Sequence, residues 1–302
     1  MKNFRYWRNL TLFGLLIFAL FVATGTCYMA RQLALNYLHP RRLVLPAEDT
    51  PAKGGIPFED VTLTTADHVR LDAWYTPPQN GVVILSAHGY GGVRHSDIHI
   101  MLARQGYGVL SWDFRAHGKS GGEVSTLGYY EMLDVEAALA FALQQPGVAH
   151  IGAWGGSMGG ATLILATAKH PEIEALVSDS AYASLRDEMN VAIHVNWMRP
   201  LIGFFAEQAI GEFGVIEQIS PVEVIGQISP RPVMIIQGLA DSMIPVDSGK
   251  RLYVASGQPH TFWSEEGVEH VQMLYTFPER YEQQLIAFFD AAFLPTTPIT
   301  AP

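Results

Sequence analysis

A single cysteine, Cys27, stands among 302 residues, so no disulfide can form within the chain and cysteine usage does not identify a redox compartment. Charge is sparse as well. Charged residues make up 16% of the chain, and 29 acids outweigh 19 bases to give a net charge of -10 with histidine neutral. That balance argues against a nucleic-acid groove and disfavours broad electrostatic attachment to anionic lipid, while leaving room for a local basic pocket. There is no H-E-x-x-H, no pair of cysteine ligands, no phosphate-binding glycine loop with its lysine and no dinucleotide fingerprint, so chemistry without metal or cofactor is expected. Internal repeats and low-complexity tracts are missing too. With 49% hydrophobic residues, the length suffices for one large core, and the motif spacing favours one domain over two.

One long apolar run is present. Residues 10–30 carry no charge and number enough to cross a hydrocarbon core of ~30 Å as a helix. Lys2, Arg5 and Arg8 precede the run, in a basic flank over residues 1–9. Such a segment is a cleaved signal peptide or a retained anchor. Its length exceeds the ~7–15 residues of a usual signal core and favours the anchor, although Ala23-Thr24-Gly25 offers small residues for cleavage. Thr24-Gly25-Thr26 before Cys27 does not resemble a lipoprotein box. The leading basic residues place the N-terminus in the cytoplasm and the remainder outside; Arg31, Arg41 and Arg42 on the other flank pull against that orientation.

Residues 31–57, rich in proline and basic side chains, read as a linker. Residues 58–292 then read as the catalytic domain and 293–302 as a tail. Val61–Thr65 and Val69–Tyr75 alternate polar and apolar positions around Ala66-Asp67-His68, as an edge hairpin does. From Val82 the pattern changes to continuous apolar strands separated by helical stretches, the signature of a parallel sheet covered on both faces. Helices are expected over Ile98–Gln105, Tyr129–Gln144, Met158–Lys169, Val246–Ala255 and Glu279–Phe289. Residues 181–227 interrupt the alternation with an apolar-rich insertion too long for a simple loop.

Gly155-Gly156-Ser157-Met158-Gly159 lies between an apolar strand, Ala149–Trp154, and an apolar helix, Ala161–Ala166. A G-x-S-x-G turn in that setting forces the serine into a strained elbow with its hydroxyl exposed; glycine neighbours let strand and helix pass closely. A serine hydroxyl is a poor nucleophile near neutral pH and needs a base with a group to orient it. Asp241 follows the strand Val233–Gln237, and His270 follows the strand-like Gln258–Trp263. The order Ser157, Asp241, His270 differs from the orders of the chymotrypsin and subtilisin groups. His88-Gly89-Tyr90-Gly91-Gly92 follows the apolar strand Val82–Ala87, so the backbone N–H groups of Tyr90 and Met158 are the expected oxyanion donors. His88, Gly89, Gly155 and Gly159 are expected to support those loops.

Together these segments resemble the α/β-hydrolase superfamily, in particular its bacterial branch similar to serine aminopeptidases and monoglyceride lipases. The likeness runs from about Phe58 to about Phe289. It includes Asp113-Phe114-Arg115-Ala116-His117-Gly118-Lys119-Ser120, similar to the family's D-x-R-G-x-G-x-S loop, with Ala116 in place of glycine. The resemblance implies an α/β fold: a mostly parallel eight-stranded sheet flanked by helices, with residues 181–227 as a helical cap. It implies a serine hydrolase, with a carboxylic ester the first expectation and a peptide bond or acyl transfer the alternatives. A silent member of the fold acting as a membrane-tethered scaffold is a different-class alternative; such proteins typically lose a triad member, and all three are present here. The expected partners are a small acyl substrate, lipophilic if anchor and cap act together, and the membrane through residues 10–30.

Several residues compete for these roles. Asp179 ends the strand before the insertion, where some α/β-hydrolases carry the acid, but Gly238–Pro245 resembles the usual acid loop. His260 lies within the last strand rather than after it. Asp247 is expected to cap a helix with its carboxylate, and Glu265, Glu266 and Glu269 to form a solvated loop.

Overall fold

The computed structural model describes residues 2–294. Helix α1 (Lys2–Leu38) comes first, and the chain then enters the antiparallel hairpin of β1 (Glu59–Thr64) and β2 (Arg70–Thr76). Strand and helix alternate from there: β3 (Val82–Ala87), α2 (Ser96–Arg104), β4 (Gly108–Trp112), α3 (Glu131–Leu143), β5 (His150–Gly156), α4 (Met158–Lys169) and β6 (Ile173–Asp179). The insertion follows as α5 (Leu185–Ala192), α6 (Arg199–Ile210), α7 (Val215–Gln218) and α8 (Pro221–Val224). The chain closes with β7 (Val233–Gly238), α9 (Ser248–Ala255), β8 (His260–Glu265), α10 (Met273–Thr276) and α11 (Pro278–Phe293).

The eight strands form one sheet in the order β1-β2-β4-β3-β5-β6-β7-β8, antiparallel at β1/β2 and β2/β4 and parallel elsewhere. Central strands are apolar on both sides because helices cover both sides, and their alternating residues feed two separate cores. On β3, Val83, Leu85 and Ala87 pack with α3 and α4, whereas Val82 and Ile84 pack with α2 and α11. On β7, Val233 and Ile235 share the first core and Met234 and Ile236 the second.

The boundaries depart from the sequence expectations in a few places. Helix α1 begins at Lys2 and continues to Leu38, so the expected basic flank and the start of the expected linker are helical. The remaining linker lies on the domain: the Arg42 guanidinium donates to the carbonyls of Gly118, Ser120 and Gly122, and a single 3-10 turn covers Pro51–Gly54. Strand β5 runs on through Gly156 to the elbow itself, β8 begins only at His260, and α11 extends to Phe293. Of the expected tail, residues 295–302 lie outside the described residues.

Ala116 explains a departure noted in the sequence. It is buried and sits at φ 60°, the left-handed region that glycine occupies without penalty. Its N–H donates to Gly121 O (2.8 Å), and the flanking Arg115 is pinned by Asp134 (Nε to Oδ1, 2.8 Å) and Asp67 (Nη1 to Oδ2, 2.8 Å), so the turn cannot relax. A left-handed alanine costs ~1–2 kcal/mol, and glycine returns about half of that gain through its looser unfolded chain. Ala116→Gly should therefore stabilise the fold by roughly 0.5–1 kcal/mol in denaturant unfolding. A loss of stability would show that the Cβ packing outweighs the strain.

Candidate active site

The C-terminal ends of four parallel strands converge, the place where open α/β sheets carry their ligands. Strand β5 ends at the elbow, where Ser157 has φ 53° and ψ -122° before α4 starts at Met158. A Cβ at Gly155 would come within 2.6 Å of the Gly159 carbonyl, and one at Gly159 would collide with the Ala87 carbonyl. The glycines expected around Ser157 are therefore where strand, helix and β3 touch backbone to backbone.

The loops after β7 and β8 bring Asp241 and His270 to this turn. His270 Nε2 lies 2.9 Å from Ser157 Oγ, and His270 Nδ1 lies 2.8 Å from Asp241 Oδ2. Asp241 is buried and also accepts from Gln237 Nε2 (3.0 Å) and from the Met243 and Ile244 N–H groups (2.9 Å each). An Nδ1–H donated to a carboxylate so firmly held leaves Nε2 free to accept the serine proton. Beside Ser157, the N–H groups of Tyr90 and of Met158, the first residue of α4, have no acceptor among the described residues. A helix N-terminus favours negative charge at that spot.

The competing residues are engaged elsewhere. Asp179 is fully buried, accepting from Tyr281 OH (2.8 Å) and Ser180 Oγ (2.8 Å), while its carbonyl accepts the Ser157 N–H (2.7 Å). Burial pushes its carboxyl up to about 6 against those two hydrogen bonds. His260 Nδ1 pairs with Ser256 Oγ (2.8 Å). His88 accepts the Phe114 N–H at Nε2 (2.9 Å) and donates from Nδ1 to Gly89 O (2.7 Å). His117 likewise accepts the Gly91 N–H (2.9 Å) and donates to Arg115 O (2.8 Å). Burial drives both imidazoles below their ordinary value, so both are neutral scaffolds of the glycine loop.

Two minor expectations are corrected. Asp247 stands at the start of α9, but its side chain makes no capping bond; its carbonyl accepts the Arg251 N–H instead. Of the three glutamates expected in a solvated loop, Glu266 and Glu269 are exposed, while Glu265 is the last residue of β8 and accepts from the Trp263 indole (2.9 Å) and from Arg280 (2.5 Å). Acids beside a strand-to-loop junction meet unsatisfied donors there, which composition alone does not reveal.

Ser157 opens into a cavity of about 330 Å³ whose walls are mainly apolar, among them Leu38, Leu185, Met189, Ile202, Ile210 and Val215. The insertion supplies one wall, where the sequence placed a cap. Two features were not legible in the sequence: the end of α1 supplies another wall, through Ala34, Tyr37 and Leu38, and Glu188 faces in with an Oε2 that lacks any partner among the described residues. Burial raises the Glu188 carboxyl to about 7, with His270 pulling it down and Asp241 pushing it up.

With the geometry in hand, comparison with known proteins is informative. A family profile described as alpha/beta hydrolase fold matches residues 82–211. An uncharacterized Mycobacterium tuberculosis protein, MT2364, is 30% identical over 258 residues, 82% of this chain and 84% of that protein. The chain belongs to the α/β-hydrolase family. Uncharacterized YfhR of Escherichia coli is 26% identical over 298 residues, covering 93% of this chain and 95% of its own. The structure of the Pyrococcus furiosus esterase Pf2001 superimposes with a TM-score of 0.72 at 25% identity, over 85% of this chain and all of that one. In this α/β-hydrolase the profile ends inside the insertion, so Asp241 and His270 rest on the geometry above.

The shift at Glu188 generates a pH prediction. A carboxyl whose folded value is raised from 4.5 to about 7 keeps its proton longer in the fold than in the unfolded chain. Folding therefore loses stability as pH rises from about 4.5 through about 7. Glu188→Gln should leave stability at pH 4.5 nearly unchanged and raise it at pH 8 by on the order of 1 kcal/mol, discounted for the group's partial exposure. Denaturant unfolding of both proteins at the two pH values checks this, and an equal effect at both would contradict it.

Proposed function

We propose that this α/β-hydrolase is a membrane-tethered serine hydrolase that cleaves a carboxylic ester through an acyl-enzyme. The observation that carries the reading is the unbroken relay from Ser157 Oγ through His270 to Asp241, at the mouth of an apolar cavity. Ser157 Oγ attacks the acyl carbonyl as His270 Nε2 takes its proton, and Asp241 steadies the imidazolium. The carbonyl oxygen, now negative, meets the Tyr90 and Met158 N–H groups. Collapse of the tetrahedral adduct breaks the ester C–O bond, and His270 returns the proton to the departing alcohol. Water, deprotonated by the same imidazole, then releases the acid and restores Ser157.

An ester is favoured over a peptide by the cavity itself. Its walls offer apolar surface to an acyl chain, and its carboxylates, Glu188 and Glu207, lie among hydrophobic side chains rather than in a polar cleft. The similarity to an esterase structure points the same way.

The tether is α1. It is long and apolar enough to cross a membrane, and its side chains from Phe4 to Gly25 are exposed throughout. Arg42, one of the basic residues that weakened the orientation expected from the N-terminal charge, is occupied with the carbonyls of the Gly118–Gly122 turn. Arg42 keeps its charge in that contact, so the reading of a cytoplasmic N-terminus and an outward-facing hydrolase domain rests on Lys2, Arg5 and Arg8 ahead of the span.

The full-length protein in detergent should hydrolyse p-nitrophenyl esters, and Ser157→Ala should lower kcat by at least about 1,000-fold without shifting the unfolding midpoint downward. Retained turnover in that variant would end the assignment. A wild type that turns over no ester, yet is labelled at Ser157 by a fluorophosphonate, would move the reading to peptide or acyl-transfer chemistry.

A further inference from the structure

Helix α1 changes character along its length. Up to Gly25 every described side chain is exposed, whereas Ala30, Ala34 and Leu38 are buried at intervals of four residues, a single stripe on one face. That stripe packs on the insertion: Ala30 and Ala34 form a small core with Ile193, Met198 and Ile202. Alanines let α1 and α6 approach closely, and the same seam continues into the cavity, where Ala34 and Tyr37 face Met189, Ile202 and Ala206. At ~1.5 Å per residue, Ala34 lies only about 6 Å along the axis from the last residue of the apolar span. The wall of the cavity and the bilayer-facing surface are thus successive turns of one helix.

The insertion presents apolar groups beside that helix. Trp197 (66% exposed) and Phe204 (49%) flank and belong to α6, and Phe213 (63%) stacks near Phe204 with ring centroids 6.2 Å apart. Exposed aromatics on and around the helix that packs against α1 fit an apolar contact with the bilayer, at whose interface tryptophan settles. No lysine or arginine lines the cavity, whose acids are Glu207 and the largely neutral Glu188, and the chain carries a net charge of -10. An anionic head group would be repelled; an uncharged one would not.

Building on the ester-hydrolase reading, we propose that the substrate is a bilayer-resident lipid ester with an uncharged head group, whose acyl chain enters the cavity from the membrane between α1 and α6. The last two turns of α1 then form part of the acyl-binding wall, and Ala34, Tyr37 and Ala206 set the width of the entrance. Ala30 and Ala34 are fully buried in the α1–α6 seam, so entry requires the two helices to part there; a chain that passes this way avoids solvent, at about 0.8 kcal/mol for each methylene kept out of water.

The test uses the full-length Ser157→Ala protein in phosphatidylcholine vesicles, with a single-chain fatty-acyl ester of ethylene glycol bearing a diazirine at the chain end. Irradiation followed by peptide mapping should place adducts on the cavity-lining Leu127 and Ile216. Ala34→Trp, and independently Ala206→Trp on the facing wall, should cut those adducts by about tenfold, the scale on which a filled apolar pocket discriminates chains. Adducts confined to residues 4–29, or cavity adducts indifferent to both tryptophans, would overturn the proposal. Because crosslinking needs no turnover, its outcome stands apart from that of the ester assays: a protein that admits the chain but hydrolyses no ester would refute the chemistry and leave the entrance established.

Discussion

Ser157 holds a backbone conformation that L-residues avoid, and the rest of the site is arranged around the contacts that enforce it. Its N–H is tied to the Asp179 carbonyl on the neighbouring strand at 2.7 Å, and its carbonyl accepts the Ala161 N–H of α4 at 3.0 Å, so the elbow is braced by β6 as well as by its own helix. The next residue, Ser180, also has a positive φ, 54°; its hydroxyl donates to Asp179 Oδ1 and accepts the N–H of Val271. Val271 has φ 54° as well and follows His270 directly. Three strained residues on three loops thus share one hydrogen-bonded corner, and moving any of them would displace both Ser157 and His270. Strain of this kind persists only where the surroundings over-determine it. Here the buried pair Asp179 and Tyr281 supplies that rigidity from the opposite core.

A second dependence runs through the end of α1. The last carbonyls of a helix lack intrahelical donors and must find others. Tyr90 OH donates to Tyr37 O at 2.7 Å, and the Ser125 N–H donates to Leu38 O at 2.8 Å. Tyr90 has an N–H without an acceptor among the described residues, and Ser125 Oγ lies 3.7 Å from the sulfur of Met158, the other residue beside Ser157 whose N–H has none. The helix that reads from sequence as a tether is therefore capped by the loops that frame the reaction centre. Removing α1 as far as Leu38 would take away acceptors and a cavity wall together, whereas cutting before Ala30 would spare both.

Legibility in the sequence followed the range of the interactions. The elbow, the acid loop and the histidine loop were readable because each is a short local pattern that follows an apolar strand in chain order, whereas the order of those strands across the sheet came only from the structure. The hairpin and the parallel strands were readable within a residue or two, since continuous apolar runs such as Val82–Ala87 have few other homes. What escaped was long-range. Nothing around Ala34 distinguishes a helix face that packs on an insertion more than 150 residues away from one that meets lipid, because alanine suits both. Glu188 lies in a helix whose neighbours, Asp187 and Arg186, are ordinary surface charges, so its burial depends on the insertion folding over Ser157. Ala116 was visible as a departure, but its cost became definite only with its φ.

Of the carboxylates around His270, Asp241 and Glu188 have contrasting surroundings. Asp241 receives four donors, so the charged form has partners wherever it presents a lone pair. Glu188 has an oxygen with no donor and apolar neighbours, so its charged form is disfavoured and its carboxyl rises to about 7. An ionised Glu188 would be a further negative charge acting on the imidazole beside Asp241. Burial keeps that carboxyl protonated below about neutrality, with the proton on Nδ1 directed at Asp241 and Nε2 directed at the serine. The apolar insertion thus lines the cavity and, by burying Glu188 there, favours the neutral form of its carboxyl.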